Sequence, residues 1–135
     1  MARMMLTLAI DPRRFCSITP RPLAINERGQ VVGWSTTGTG EVHATLWDHG
    51  AILDLGTLGG SRSEAHAIND HGQVVGISLT ASGDQHAFFW NNGTMIDLGT
   101  LGGQTSGASG INNSGTIVGF SETALGETHA VLWTR

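Results

Sequence analysis

The 135-residue chain has no lysine and no tyrosine, a single cysteine and three prolines. Cys16 alone permits no internal disulfide, and no Cys/His cluster has zinc-ligand spacing, so the fold is expected to hold by packing, without metal or other cofactor. Positive charge is scarce after the start: Arg3, Arg13, Arg14, Arg21 and Arg28 precede residue 29, and from there two arginines face nine acidic residues. That balance argues against a nucleic-acid surface. No apolar run approaches 18 residues, so no membrane-inserted helix is expected. The apolar stretch at residues 4–10 ("MMLTLAI") has no small-x-small cleavage site after it and makes an incomplete secretory signal, which leaves a cytoplasmic location open.

Glycine, by contrast, is abundant, with 20 residues, and the chain repeats itself. "DLGTLGG" occurs at 54–60 and again at 97–103. The same 43-residue step links His43, His86 and His129, Trp47, Trp90 and Trp133, and Asn26, Asn69 and Asn112. This is a tandem repeat, each copy one supersecondary unit that shares its core with its neighbours. Residues 1–22 fall outside the pattern and residues 23–135 form one repeat domain, its last copy truncated.

Within a copy the apolar period is two, over segments of five to seven residues, which predicts strands. The middle copy supplies four: 64–70, 73–78, 86–90 and 94–99. Asparagine and glycine mark the hairpin turns between them. The second and third strands are apolar on both faces, so both faces must be covered. Sheets stacked face to face satisfy this, with large side chains filling the space left over a neighbour's Gly33, Gly76 and Gly119 and over its alanines. The expected fold is all-β: tandem four-stranded antiparallel units in a partial β-propeller-like array, with a β-trefoil as the alternative.

The repeated glycine loop raises a choice between phosphate cradle and structural joint. A cradle needs a helix N-terminus or a lysine to meet the anion, and neither follows the loop. As a joint, Asp54 and Asp97 accept backbone N–H groups, Leu58 and Leu101 anchor the connection, and the pairs Gly59-Gly60 and Gly102-Gly103 permit reversed φ.

Other chemistry is weakly supported. His43, His86 and His129 would meet at a metal only around a threefold axis. No G-x-S-x-G elbow is present, and Ser35, Ser78 and Ser121 read as backbone-bonding residues. Asp54 and Asp97 lie one unit apart, unlike a glycosidase pair. The sequons at Asn92 and Asn112 fall in obligatory turns. The three recurring tryptophans read as core. An enzyme is not expected.

"HAFFWNNGTMIDLGTLGG" at 86–103, followed by "SGASGINNSGTIVGFS" at 106–121, resembles the HAF repeat, a bacterial family named for the triplet seen here as His86-Ala87-Phe88. The likeness covers residues 23–135. The outer copies depart from it with His43-Ala44-Thr45 and His129-Ala130-Val131. It implies an extracellular or envelope-associated repeat protein without enzymatic activity. Members hold more than three repeats, so the chain is a short member, a piece of a longer one, or one whose start was lost. Three units leave an open arc. Self-association would close it, and residues 4–10 would supply the last unit's missing strand. The function expected is a structural or protein-interaction module. The alternative is a carbohydrate-binding module using the variable loops at 36–42, 79–85 and 122–128, which contain no aromatic residue.

Overall fold

A computed structural model describes residues 20–134, and strands account for 69% of them with no helix. Eleven strands follow one another: β1 (Arg21–Ile25), β2 (Val31–Thr36), β3 (Val42–Asp48), β4 (Ala51–Gly56), β5 (Gly59–Ile68), β6 (Val74–Thr80), β7 (Gln85–Asn91), β8 (Thr94–Gly99), β9 (Gly102–Ile111), β10 (Ile117–Thr123) and β11 (Thr128–Trp133). Antiparallel pairing joins β1 to β4 as one meander, β5 to β8 as a second, and β9 to β11 as a third. A single parallel pair, Val42 with Arg62, links the first two meanders into an eight-stranded sheet, while β9 to β11 form a separate three-stranded sheet. No closed barrel is formed among the described residues.

Turn chemistry fixes these registers. At the tip between β7 and β8, Asn92 (φ 50°) and Gly93 (φ 90°) both occupy the left-handed region, the requirement of a two-residue type I′ hairpin, and His49 with Gly50 does the same between β3 and β4. The turns after β1, β5 and β9 close with Gly29, Gly72 and Gly115 donating to the carbonyls of Asn26, Asn69 and Asn112.

Two apolar cores lie between successive meanders. The first joins Val32, Ala44, Leu46 and Leu55 to Ala65, Ile68, Val74, Phe88 and Trp90. The second joins Val75, Ala87 and Phe89 to Ala108 and Ile117. The middle meander therefore has both faces covered, as alternate apolar residues on β6 and β7 require.

Three details differ from the sequence reading. The first strand of the middle unit starts at Gly59 rather than residue 64, because the second half of the glycine run already pairs with β6. Likewise β1 starts at Arg21, so residues 21–22 belong to the first meander. The space at Gly33, Gly76 and Gly119 is filled from within each unit, not by a neighbour. A β-carbon there would stand 1.8 to 2.0 Å from the carbonyl oxygens of Arg21, Glu64 and Gly107, which a bulge in β1, β5 or β9 pushes against the glycine. Cys16, the arginines at 3, 13 and 14 and the apolar stretch 4–10 lie outside the described residues.

Candidate functional site

The glycine-rich segment forms a joint. Asp54 Oδ1 accepts the Gly56 N–H at 2.8 Å and Asp97 Oδ1 that of Gly99 at 2.8 Å, closing an Asx turn around glycines held at φ 83° and 75°. The same carboxylates meet His43 Nδ1 and His86 Nδ1 at 2.9 Å, so these two histidines are tied to the fourth strands of their own units. Thr57 and Thr100 then donate to the carbonyls of Gly60 and Gly103. Gly59 and Gly102 have reversed φ (116° and 113°), whereas Gly60 and Gly103 do not. These second glycines are needed for close approach, since a β-carbon on Gly60 would lie 2.6 Å from that of Leu79 and one on Gly103 would lie 2.6 Å from the Thr123 oxygen. Leu58 packs on the first core, but Leu101 stays half exposed.

Two serines that the sequence reading passed over lock one unit to the next. Ser63 Oγ, fully buried, accepts the Ala44 N–H at 2.7 Å and donates to the Gly56 carbonyl at 2.6 Å, and Ser106 does the same with Ala87 and Gly99. Each fills the break in register where the third and fourth strands of the preceding unit splay apart. Their 43-residue recurrence was the available signal. Ser78 and Ser121 accept the N–H groups of Leu58 and Leu101 at 2.8 Å.

The hairpin turns form a ladder along the array. Asn26 Nδ2 donates to the Asn69 carbonyl at 2.9 Å, and Asn69 Nδ2 to the Asn112 carbonyl at 3.0 Å. Beside it, the Glu27 N–H donates to Asp70 Oδ1 and the Asp70 N–H to Asn113 Oδ1, both at 2.8 Å. The Glu27 N–H, with the Asn113 amide, holds the Asp70 carboxyl below its ordinary range. Between the sheets, burial pushes the Glu64 carboxyl up, but hydrogen bonds from His66 and Arg62 outweigh it and leave the group lowered. His66 Nδ1 also lies 3.2 Å from the Ala108 carbonyl of the next unit.

These roles leave little convergent chemistry. No group of three His, Cys, Asp or Glu residues suited to a metal occurs among the described residues. His43, His86 and His129 lie in separate meanders, and the last pairs with Glu127 at 3.5 Å. Trp47 and Trp90 are buried, and Trp133 is half-buried with Nε1 donating to the Leu98 carbonyl at 3.2 Å. A depression of about 230 Å³ beside Leu101, Leu132 and Trp133 is smaller than ligand sites of roughly 300–1,000 Å³. A second, of about 290 Å³, runs between the loop at Thr39 to Val42 and Arg62, whose guanidinium stands 5.7 Å over the Trp34 ring.

The outer face of the third meander is apolar and exposed. Val118 and Leu132 are 45% and 65% exposed, while their counterparts Val75 and Phe89 are fully buried, and Phe120 is 38% exposed where its counterparts Trp34 and Ile77 are part-buried. No helix is long and apolar enough to cross a membrane among the described residues. No protein-family model, curated protein or solved structure matches this chain.

Proposed function

We propose that the chain is a non-enzymatic β-repeat module of the HAF-repeat type, an open propeller-like array that serves as a structural and protein-interaction element at the cell envelope or outside the cell. The observation that carries this reading is the use of the recurring polar residues: Asp54, Asp97, Asn26, Asn69, Ser63 and Ser106 bond within or between units rather than converge on a cleft. What remains for recognition is the set of dissimilar loops and the apolar outer face of the last unit. Such an exposed apolar surface marks an interaction site more often than a catalytic one. The family resemblance rests on the quoted motifs, and the envelope location rests on that resemblance.

The test is cross-linking of the full chain in an envelope fraction, with the linked residues mapped by mass spectrometry, beside a glycan array. Cross-links to a protein partner concentrated on the loops at 36–42, 79–85 and 122–128 or on the β10 and β11 face are expected. A specific glycan signal without protein cross-links at those positions would replace this reading with a carbohydrate-binding one.

A further inference from the structure

We propose that Asn92 is a site of spontaneous deamidation, gated by opening of the β7–β8 hairpin. Asparagine is among the chemically labile side chains. Six occur in the sequence, but only Asn92 is followed by glycine. The following residue matters because its β-carbon shields the peptide nitrogen from the asparagine side chain, and glycine has none. Around Gly93 the space is open, with nothing beyond its chain neighbours within 4 Å of where a β-carbon would stand. The other asparagines are held. Asn26, Asn69 and Asn112 each accept two backbone N–H groups at Oδ1, from Arg28 and Gln30, His71 and Gln73, and Ser114 and Thr116. Asn113 Nδ2 donates to Asp70, and Asn91 lies within β7. Asn92 is exposed at the tip of its hairpin.

Water is the only co-reactant. The Gly93 nitrogen gives up its proton and bonds to Asn92 Cγ, the Cγ–Nδ2 bond breaks, and the proton leaves with Nδ2 as ammonia. A succinimide ring remains. Water then adds to one of its two carbonyl carbons. Breaking the bond from the Gly93 nitrogen to Cγ gives aspartate. Breaking its bond to the backbone carbonyl carbon gives isoaspartate, whose main chain runs through Cγ. Ring closure needs the Gly93 nitrogen turned toward the Asn92 side chain, and the type I′ turn, with φ 50° and 90°, points that nitrogen away while Asn91 and Thr94 stay paired. The turn must therefore open first. Among the described residues β8 pairs with β7 alone, at the end of the eight-stranded sheet, so this hairpin opens more readily than the strands inside the sheet.

The two products differ in what they do to the fold. Aspartate tolerates the left-handed conformation and keeps the turn. Isoaspartate lengthens the main chain by one atom, and a two-residue turn no longer closes on the same register. The strain falls on β8, which supplies the Asp97 carboxylate to His86 and the Leu98 carbonyl to Trp133 Nε1 in the third meander. Leu98 and Trp133 also pack on the second core. Isoaspartate at position 92 thus loosens the fourth strand of the second unit and, through Leu98, its contact with the third meander.

The test compares the full chain, its Asn92→His variant and a synthetic peptide of residues 90–95, all incubated in mildly alkaline buffer. Histidine is what the first unit has at this place, His49 at φ 49° before Gly50, so the variant should keep the hairpin. Mass spectrometry reads the gain on exchange of NH2 for OH, peptide mapping locates it, and labelling by an isoaspartyl methyltransferase separates isoaspartate from aspartate. The expected result is a single gain at Asn92 in the wild type and none in the variant. The rate should be several-fold below that of the peptide and rise toward it in urea below the unfolding midpoint. The isoaspartate form should unfold at lower urea than the unreacted chain. A wild-type mass unchanged over a time in which the peptide reacts fully overturns the proposal. So does a gain that maps to another asparagine or persists in the variant. A wild-type rate equal to that of the peptide and unmoved by urea overturns the gating by the hairpin.

Discussion

Replacing Ser63 by alanine removes one oxygen atom and breaks both of the bonds that this side chain makes to the first unit. The hydroxyl is fully buried, 2.7 Å from the Ala44 nitrogen and 2.6 Å from the Gly56 oxygen. Alanine leaves the buried Ala44 N–H without a partner, at about 1–3 kcal/mol. The Gly56 carbonyl is less deeply placed and water can compensate it in part, so the total should be about 2–3 kcal/mol. Because Ser106 has the same two bonds with Ala87 and Gly99, Ser106→Ala should cost about as much. Urea unfolding followed by tryptophan fluorescence, at one fixed protein concentration, would measure it. With a slope of about 1–3 kcal/mol per molar urea, the midpoint should fall by roughly 0.7–3 M. Ser61→Ala, at an exposed position two residues away, should change stability by under ~0.5 kcal/mol. If both buried serines behave like Ser61, the bonds across the register break do not hold the units together and the account of the joint is wrong.

Three further perturbations separate other contributions. Asn69→Ala should cost about 2–3 kcal/mol in the same assay, because its side chain bonds the His71 and Gln73 N–H groups, the Gln73 side chain and the Asn112 carbonyl, while Asn112→Ala at the exposed end should cost about 1 kcal/mol. Gly76→Ala should prevent folding outright, seen as loss of the β-sheet circular dichroism signal, since its β-carbon would lie 1.9 Å from the Glu64 carbonyl oxygen. Gly93→Ala, at φ 90° with open space around it, should cost only about 1 kcal/mol. Glu64 has a folded-state pKa below its ordinary 4.5, so the stability it contributes is present above that value and lost as pH falls through the lower one. Glu64→Gln should therefore flatten the decline in urea midpoint between about pH 5 and 3, and an unchanged slope would contradict the assignment to its contacts with His66 and Arg62.

Much of the fold was legible because it is written in periodic positions. The alternation in residues 86–90 and the Asn-Gly turns specify strands and hairpins locally, and β8 (Thr94–Gly99) has the bounds expected from sequence. The start of β5 was not legible, because a Gly-Gly pair reads as a turn unless the close approach of the neighbouring strand at Leu79 is known. The serine lock escaped for a related reason. A serine looks like a surface residue until the register break it fills, created by pairing between two other strands, is seen in three dimensions. Gly76 was read as leaving room for a neighbour, whereas a bulge in its own unit occupies that room.

The outer copies depart from the His-Ala-Phe triplet at its third member. In the middle unit the three members of the triplet play separate parts. His86 bonds Asp97, Ala87 leaves its N–H open to Ser106, and Phe88 enters the core shared with the preceding unit. Histidine and alanine recur in all three copies, and in the first two their partners are the fourth strand and the following unit's serine. The third position faces backwards, and only the middle unit has a described apolar core on that side together with one on the other. It carries Phe88 and Phe89, the two largest fully buried side chains, where the first copy has Thr45 and Leu46 and the last has Val131 and Leu132. The triplet thus occurs in the unit that described meanders cover on both faces, and the fully buried Thr45 and part-buried Val131 are smaller side chains at the same position in the other two copies.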